Sequence, residues 1–595
     1  MLNFFRVLVF LLFSYNIFFS FCPEGEVEFF VPAVINPSSS QIVKITLKTT
    51  YGNGNIYVSI SPPVGILAQQ SISRAINYAF SSEANLSKCD VFVNFDKLEN
   101  SSLVEGPSAS LAIALATKAI LNNLSYPDSV IVTGEIFSNG VVGPVGGIID
   151  KIKAAQKENK TKIITPTLYF YERLLLSSFE KNITVIEVKN FEEAYNYLFL
   201  NLSYSPSESI PLVIIPTQLQ ARKPNSNEKE FESIARSISK KLEDTINSYS
   251  NLFKKSPQLE SHLDYFKQRI ELNNFLISKG YFYSAANNAF LDLMDAKLLK
   301  QASNLNPNLQ EEFIELISCL ENFKEVQLTK ENFEFAAGAE ARYIWAKTKY
   351  QNLKNASSSI SSIEEKYLIL REIYSAQSWC LASLDLIKKA KEASYKSNTP
   401  LNTSLMEKAI KENITLLSSL LENSQIEIYQ DLQEAKVHLN YAKAALEEKK
   451  YAGAMFDLAY ALSVINFAKE KTQKDEQILK NIESLSSKSY FGFWANLYHS
   501  QGQYLYFISK TPQERLTSYS AFLLAEAEEE FLTNLDEFIA RGEFSAFSIS
   551  PTKNSTSLKN IYLEDLLVSA IILISLTILL YLLFDKSLSF KSSRQ

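Results

Sequence analysis

The chain has 595 residues and a net charge of −6. That length exceeds what one compact core usually holds and points to two or three folded units, while nothing in the mildly acidic balance suggests nucleic-acid binding. Four cysteines, Cys22, Cys89, Cys319 and Cys380, are too few for a disulfide scaffold but leave one or two bridges open in an oxidising compartment.

The first 22 residues read as a signal peptide or N-terminal anchor. Arg6 precedes an apolar run from Val7 to Phe21. Strands are expected over Val27–Ile35, Gln41–Thr49 and Ile56–Ser61, with Tyr51–Asn55 as a turn between the last two. A helix follows over Ser71–Ser82 and a strand over Asp90–Phe95. The next helix is expected to start at Ser108 and run to about Asn122. Ser129–Thr133, Lys162–Ile164 and Ile183–Val188 read as strands; Asp150–Asn159 and Phe191–Leu198 read as helices. Ten of the sixteen glycines precede residue 150, in keeping with a turn-rich front part. The expectation is a mixed α+β domain over 25–202.

Residues 203–227 hold Pro206, Pro211, Pro216 and Pro224 and read as a linker, whose apolar Leu212–Ile215 could add a strand or dock on a neighbour. From 228 to 547 apolar residues recur at helical spacing, as in a bundle or a tetratricopeptide-like solenoid. Ile277–Lys300 and Ala442–Lys469 look like helix pairs turning at Lys279–Tyr281 and Lys449–Ala452. A polar stalk over 548–565 leads to an uncharged run, 566–584. As a helix it would span about 28 Å, enough to cross a bilayer core. Lys586, Lys591 and Arg594 follow it in the 585–595 tail. The positive-inside rule makes that tail cytoplasmic and the rest extracytoplasmic, a single-pass membrane protein. Sequons at Asn85, Asn182, Asn355, Asn402 and Asn413 would be glycosylation acceptors after export, although a chain this rich in Asn and Ser has many by chance.

Three short blocks carry chemistry. Glu105-Gly106-Pro107-Ser108-Ala109-Ser110 places a serine where a helix begins, and the amides of Ser108 and Ala109 would face an oxyanion there. Val132-Thr133-Gly134-Glu135-Ile136 ends a strand. Gly146-Gly147-Ile148-Ile149-Asp150-Lys151 sets a lysine among isoleucines, the surroundings that favour a neutral amine. A serine hydroxyl needs a base within reach. The chain has only three histidines, His262, His438 and His499, none in the first 261 residues, so lysine is the expected base. Each block alone is ordinary turn chemistry; the conjunction is not.

In this order, with Ser108 and Lys151 43 positions apart, the blocks resemble the proteolytic domain of Lon-type proteases. The Glu-Gly-x-Ser-Ala-Ser form looks more like the membrane-associated archaeal branch of that family. The resemblance implies a Ser-Lys dyad hydrolysing peptide bonds, with Ser108 as nucleophile, Lys151 as base and Thr133 hydrogen-bonded to the lysine. It places Glu105 where the family carries an acid, and Gly146 and Gly147 beside the substrate. It implies no metal and no cofactor. Full-length Lon proteins couple this domain to an ATP-driven ring, which needs a P-loop; this chain has no Gly-Lys dipeptide. The expectation is therefore an ATP-independent, outward-facing serine endopeptidase acting on unfolded or surface polypeptides, with a homo-oligomer left open. The alternatives are a cell-surface scaffold or binding protein with a silent Lon-type domain, and a processing enzyme with one dedicated substrate.

Overall fold

A computed structural model describes residues 22–541, apart from 37–38, 60–61, 82–85, 97–103, 105, 178–181, 201, 203–212, 254–256, 302–306, 358–359, 361, 395–399, 423–431 and 471–474. The N-terminal apolar run, the stalk, the apolar run 566–584, the tail and Glu105 lie outside the described residues.

A four-stranded sheet opens the fold. Its strands are β1 (Gly25–Asn36), β2 (Ser39–Tyr51), β3 (Ile56–Val58) and β4 (Cys89–Phe95), in the order β1-β2-β4-β3. Only β3 and β4 run parallel. Alternation sorts the side chains: Phe29, Val31, Ile45, Leu47, Val91 and Val93 are buried in one core. Helices α1 (Ile66–Phe80) and α2 (Ser110–Leu121) share that core. Every residue of α2 from Ser110 to Ala119 is buried, which its all-round apolar sequence allows.

The second sheet is parallel, with β5 (Val130–Val132), β8 (Lys162–Pro166) and β9 (Thr184–Val188) in the order β5-β8-β9. A two-rung hairpin, β6 (Glu135–Ile136) and β7 (Val142–Gly143), follows β5. Helices α3 (Ile148–Lys157), α4 (Phe170–Ser177) and α5 (Phe191–Phe199) complete this α/β part. The hairpin and α4 were not expected from sequence; both are too short to show a period. Helix α2 begins two residues later than expected, because Ser108 and Ala109 form the turn before it.

The rest is helical. It comprises α6 (Ser226–Phe253), α7 (Pro257–Ser278), α8 (Phe282–Leu299), α9 (Leu309–Glu321), α10 (Phe333–Ala356), α11 (Ile363–Ser394), α12 (Thr403–Glu422), α13 (Gln433–Glu447), α14 (Tyr451–Glu470), α15 (Asp475–Ser486), α16 (Phe493–Ile508) and α17 (Pro512–Arg541). The expected pairs are α7–α8 and α13–α14, with Ala285, Ala289, Ala445 and Ala452 fully buried where helices approach. Helix α14 is long and apolar enough to cross a membrane by length and composition, yet it is mostly buried among its neighbours. Of the expected linker, Val213 packs against the helical core and Leu219 is buried in it. Asn413 is buried and donates to the Ala409 carbonyl, which removes that sequon from reach in the folded chain.

The helical half does not stand apart from the α/β part. Ile148, Ile149 and Ile152 of α3, with Leu174 and Leu175 of α4, belong to one continuous core with α6–α8, α10 and α11. Helix α3 is thus packed between Phe30 and Ile42 of the first sheet and the helical half. Two disulfides, Cys22–Cys89 and Cys319–Cys380, use all four cysteines. The first ties Cys22, which the expected 1–22 boundary placed with the N-terminal segment, to β4, so the structure sets this buried cysteine with the folded domain; the second joins α9 to α11.

Candidate active site

Gly106 has φ +88°, a conformation that favours glycine, and Pro107 follows it. Together they turn the chain so that Ser108 and Ala109 precede the first residue of α2. Amides there have no carbonyl one turn back within the helix. The turn is anchored from below. The Gly134 amide donates to the Ser108 carbonyl at 2.9 Å, and the Leu111 amide to the Gly134 carbonyl at 3.0 Å. Ser110 is buried, and its hydroxyl accepts from the Ile136 amide at 2.9 Å. A serine at that position therefore fastens the β5–β6 loop to the start of α2.

Thr133 continues the β5–β8 ladder by donating its amide to the Ile164 carbonyl at 3.0 Å. Its side chain is fully buried and points toward the serine turn, with Oγ1 donating to the Ser108 carbonyl at 3.2 Å. The Lys151 Nζ donates to the same Oγ1 at 3.4 Å. Glu135, next but one, pairs with Arg74 of α1 at 2.8 Å.

Lys151 sits in the first turn of α3 and is only 2% exposed. The helix starts from Gly147, whose φ of +68° favours glycine and whose Cβ, if it had one, would stand 2.6 Å from Val34 Cγ2. Burial lowers the lysine pKa from 10.5 to about 8, against the opposing pull of Glu364 and then Glu172. Glu172, in the first turn of α4, is itself pushed up to about 8 by burial. Burial likewise raises Glu364, opposed by hydrogen bonds from the Ile149 and Ile148 amides.

Ser108, Ala109, Gly146, Gly147 and Lys151 line one cleft of about 660 Å³. Val31, Val34, Val43, Ile72, Phe95 and Val145 make much of its wall apolar. Thr133 lies behind this lining, reached through Lys151. Ser362, Glu364, Glu365 and Leu368 of the helical half also face the cleft. Nothing in the sequence pointed to these four, which stand more than 200 positions beyond Lys151 in an unremarked helix start.

The three histidines are placed elsewhere. His262 meets the α/β part edge-on at Phe170, and burial and the Arg173 charge hold its pKa down at about 4. His438 bonds Asp457 at 2.7 Å, and His499 bonds the Leu485 and Ser486 carbonyls at 3.2 Å. Among the described residues no cluster of three His, Cys, Asp or Glu side chains is arranged to hold a metal ion.

The structure thus brings a serine turn and a buried lysine to one cleft, with a threonine behind the lining hydrogen-bonded to both. Residues 41–200 match the family model of the Lon protease (S16) C-terminal proteolytic domain. The chain is similar to Lon protease 2 of Bacillus subtilis, 29% identical over 199 residues, 31% of this chain and 34% of that protein. The archaeal Lon protease of Thermoplasma acidophilum is 27% identical over 162 residues, 27% of this chain and 24% of that protein. Lon protease 2 of Borreliella burgdorferi is 38% identical over 96 residues, 16% of this chain and 12% of that protein. The chain spans about a third or less of the length of these relatives.

Proposed function

We propose that this chain is a membrane-anchored, extracytoplasmic serine endopeptidase that works without ATP, with Ser108 as nucleophile and Lys151 as general base. The observation that carries this reading is Lys151. It is buried, its pKa is lowered to about 8, and it lines the same cleft as Ser108. A buried ammonium costs free energy, and a base with a pKa near the working pH is what a serine nucleophile requires. In the reaction, neutral Lys151 takes the Ser108 proton as Oγ attacks the scissile carbonyl. The amides of Ser108 and Ala109, ahead of α2, stabilise the oxyanion. The lysine then returns the proton to the leaving amine, and water repeats the cycle on the ester.

The cleft volume suits a few residues of extended polypeptide, and its apolar wall suits apolar side chains exposed by unfolding. The terminal apolar run 566–584 with its basic tail supports the anchor and the orientation. Two disulfides accord with an oxidising compartment. The absence of a Gly-Lys dipeptide supports independence from ATP. A fluorophosphonate probe tests the reading: it should label the full chain at Ser108, mapped by mass spectrometry, and label the Lys151→Met variant far more slowly. Equal labelling of both, or labelling at another serine, would contradict it.

A further inference from the structure

We propose that the helical half completes the catalytic centre through Glu364, a positioning residue that caps the lysine helix from outside the α/β part. This rests on the peptidase reading above. The first amides of any helix lack an intrahelical acceptor, and Gly147, at the N-cap of α3, provides no side-chain cap. Ile148 and Ile149 are each 1% exposed, so water does not take that role readily. Glu364 fills it. One carboxylate oxygen accepts from the Ile148 amide at 3.2 Å and the other from the Ile149 amide at 3.1 Å.

A carboxylate at a helix N-terminus also meets the positive end of the helix dipole. Glu364 is 8% exposed and held in place by its own helix start. There the Ser362 amide donates to Glu365 and the Glu365 amide to the Ser362 hydroxyl, both at 3.1 Å, a reciprocal capping box. The capped amides lie within one turn of Lys151 and directly after Gly146–Gly147 on the cleft wall. Losing the cap would leave two buried donors unpaired and free the start of α3 to shift. The proteolytic site would then depend on a residue that a Lon-type domain cut out at residue 202 would lack.

Glu364 from α11 and Glu172 from α4 are the carboxylates whose charge bears on Lys151. Asp150 of α3 bears on Glu364, and Glu187 of β9 and Arg173 of α4 bear on Glu172. Both carboxylates favour the protonated lysine, so neutralising Glu364 should make Lys151 a base at lower pH.

The test is peptide hydrolysis by the full chain carrying Glu364→Ala or Glu364→Gln, with kcat and KM followed against pH. The alanine variant should lose kcat on the order of a hundredfold with a much smaller change in KM, as a misplaced catalytic group does. The glutamine variant keeps one acceptor oxygen for the two amides and turns an NH2 toward the other. It should keep more of kcat than the alanine variant and move the acidic limb of kcat/KM to lower pH. Wild-type kcat and an unmoved limb in both variants would overturn the proposal. Should the alanine variant unfold, the glutamine limb decides. If wild type itself shows no Ser108-dependent cleavage, the peptidase reading fails and the positioning role with it. The cap alone is then read by hydrogen exchange: faster exchange confined to Ile148 and Ile149 in Glu364→Ala upholds it, and unchanged exchange ends it.

Discussion

Lys151 and Thr133 meet side chain to side chain in the interior, Nζ donating to Oγ1 at 3.4 Å, while the threonine spends its own hydrogen on the Ser108 carbonyl. One hydroxyl thereby references the proposed base to the backbone of the proposed nucleophile. A neutral amine that donates one hydrogen to Thr133 has its rotation restricted, and its lone pair stays available for a second partner.

Thr133→Val keeps the shape of the side chain and removes that reference. The Ser108 carbonyl retains the Gly134 amide, so the fold should survive at a cost of about 1 kcal/mol. Catalysis should suffer more, by roughly tenfold to a hundredfold in kcat, because the base is no longer aimed. Urea unfolding and steady-state hydrolysis measured side by side check both halves; an equal kcat would remove Thr133 from the site.

Lys151 should cost the protein stability. Folding lowers its pKa from 10.5 to about 8. Between those values the unfolded chain holds a proton that the folded chain does not, so stability rises with pH there. Below about pH 8 both states are charged and the full penalty stands, on the order of 3 kcal/mol. Lys151→Met should therefore unfold at higher urea than wild type at pH 7, and its advantage should shrink as pH climbs past 8. The same value predicts hydrolysis that rises with pH to a plateau above about pH 8. A methionine variant less stable than wild type at pH 7 would mean that the lysine is paired better than its burial implies.

The parts of the site differ in how plainly they could be read from the residues. Gly106 and Pro107 are legible because a sharp turn into a helix admits few residue types, and Lys151 because charge among isoleucines is costly; the left-handed conformation of Gly147 at the start of α3 was not read from the sequence. The strands of the first sheet were legible from alternation, within a few residues at each end. Glu364 was not, since one glutamate at a helix start in a charged helical region is ordinary until packing brings it to α3. Glu172 was hidden for a related reason: α4 has eight residues and no period to reveal it. The pairing Cys319–Cys380 depends on α9 lying against α11, which no local signal records. Glu105 lies outside the described residues, so its part in the site rests on the resemblance alone.

The two disulfides close stretches with sequence separations of 67 and 61 residues. Loops of that length correspond to about 4 kcal/mol each in the chain-entropy account. Replacing Cys319 and Cys380 by serine should lower the urea midpoint accordingly, and a reductant should do the same to wild type but add little to the variant for that bridge. No effect of reductant on wild type would mean that the cysteines are thiols in the mature protein.

The central claim is that Ser108 and Lys151 together cleave polypeptide without a nucleotide. Single-turnover digestion of an unfolded protein such as casein by the purified full chain, in the absence of ATP, tests it most directly beside Ser108→Ala and Lys151→Met. The account predicts cleavage by wild type and loss of it in both variants, each still folded by circular dichroism. Cleavage at the wild-type rate by either variant, or a folded wild type that leaves every unfolded substrate and peptide intact, would contradict it.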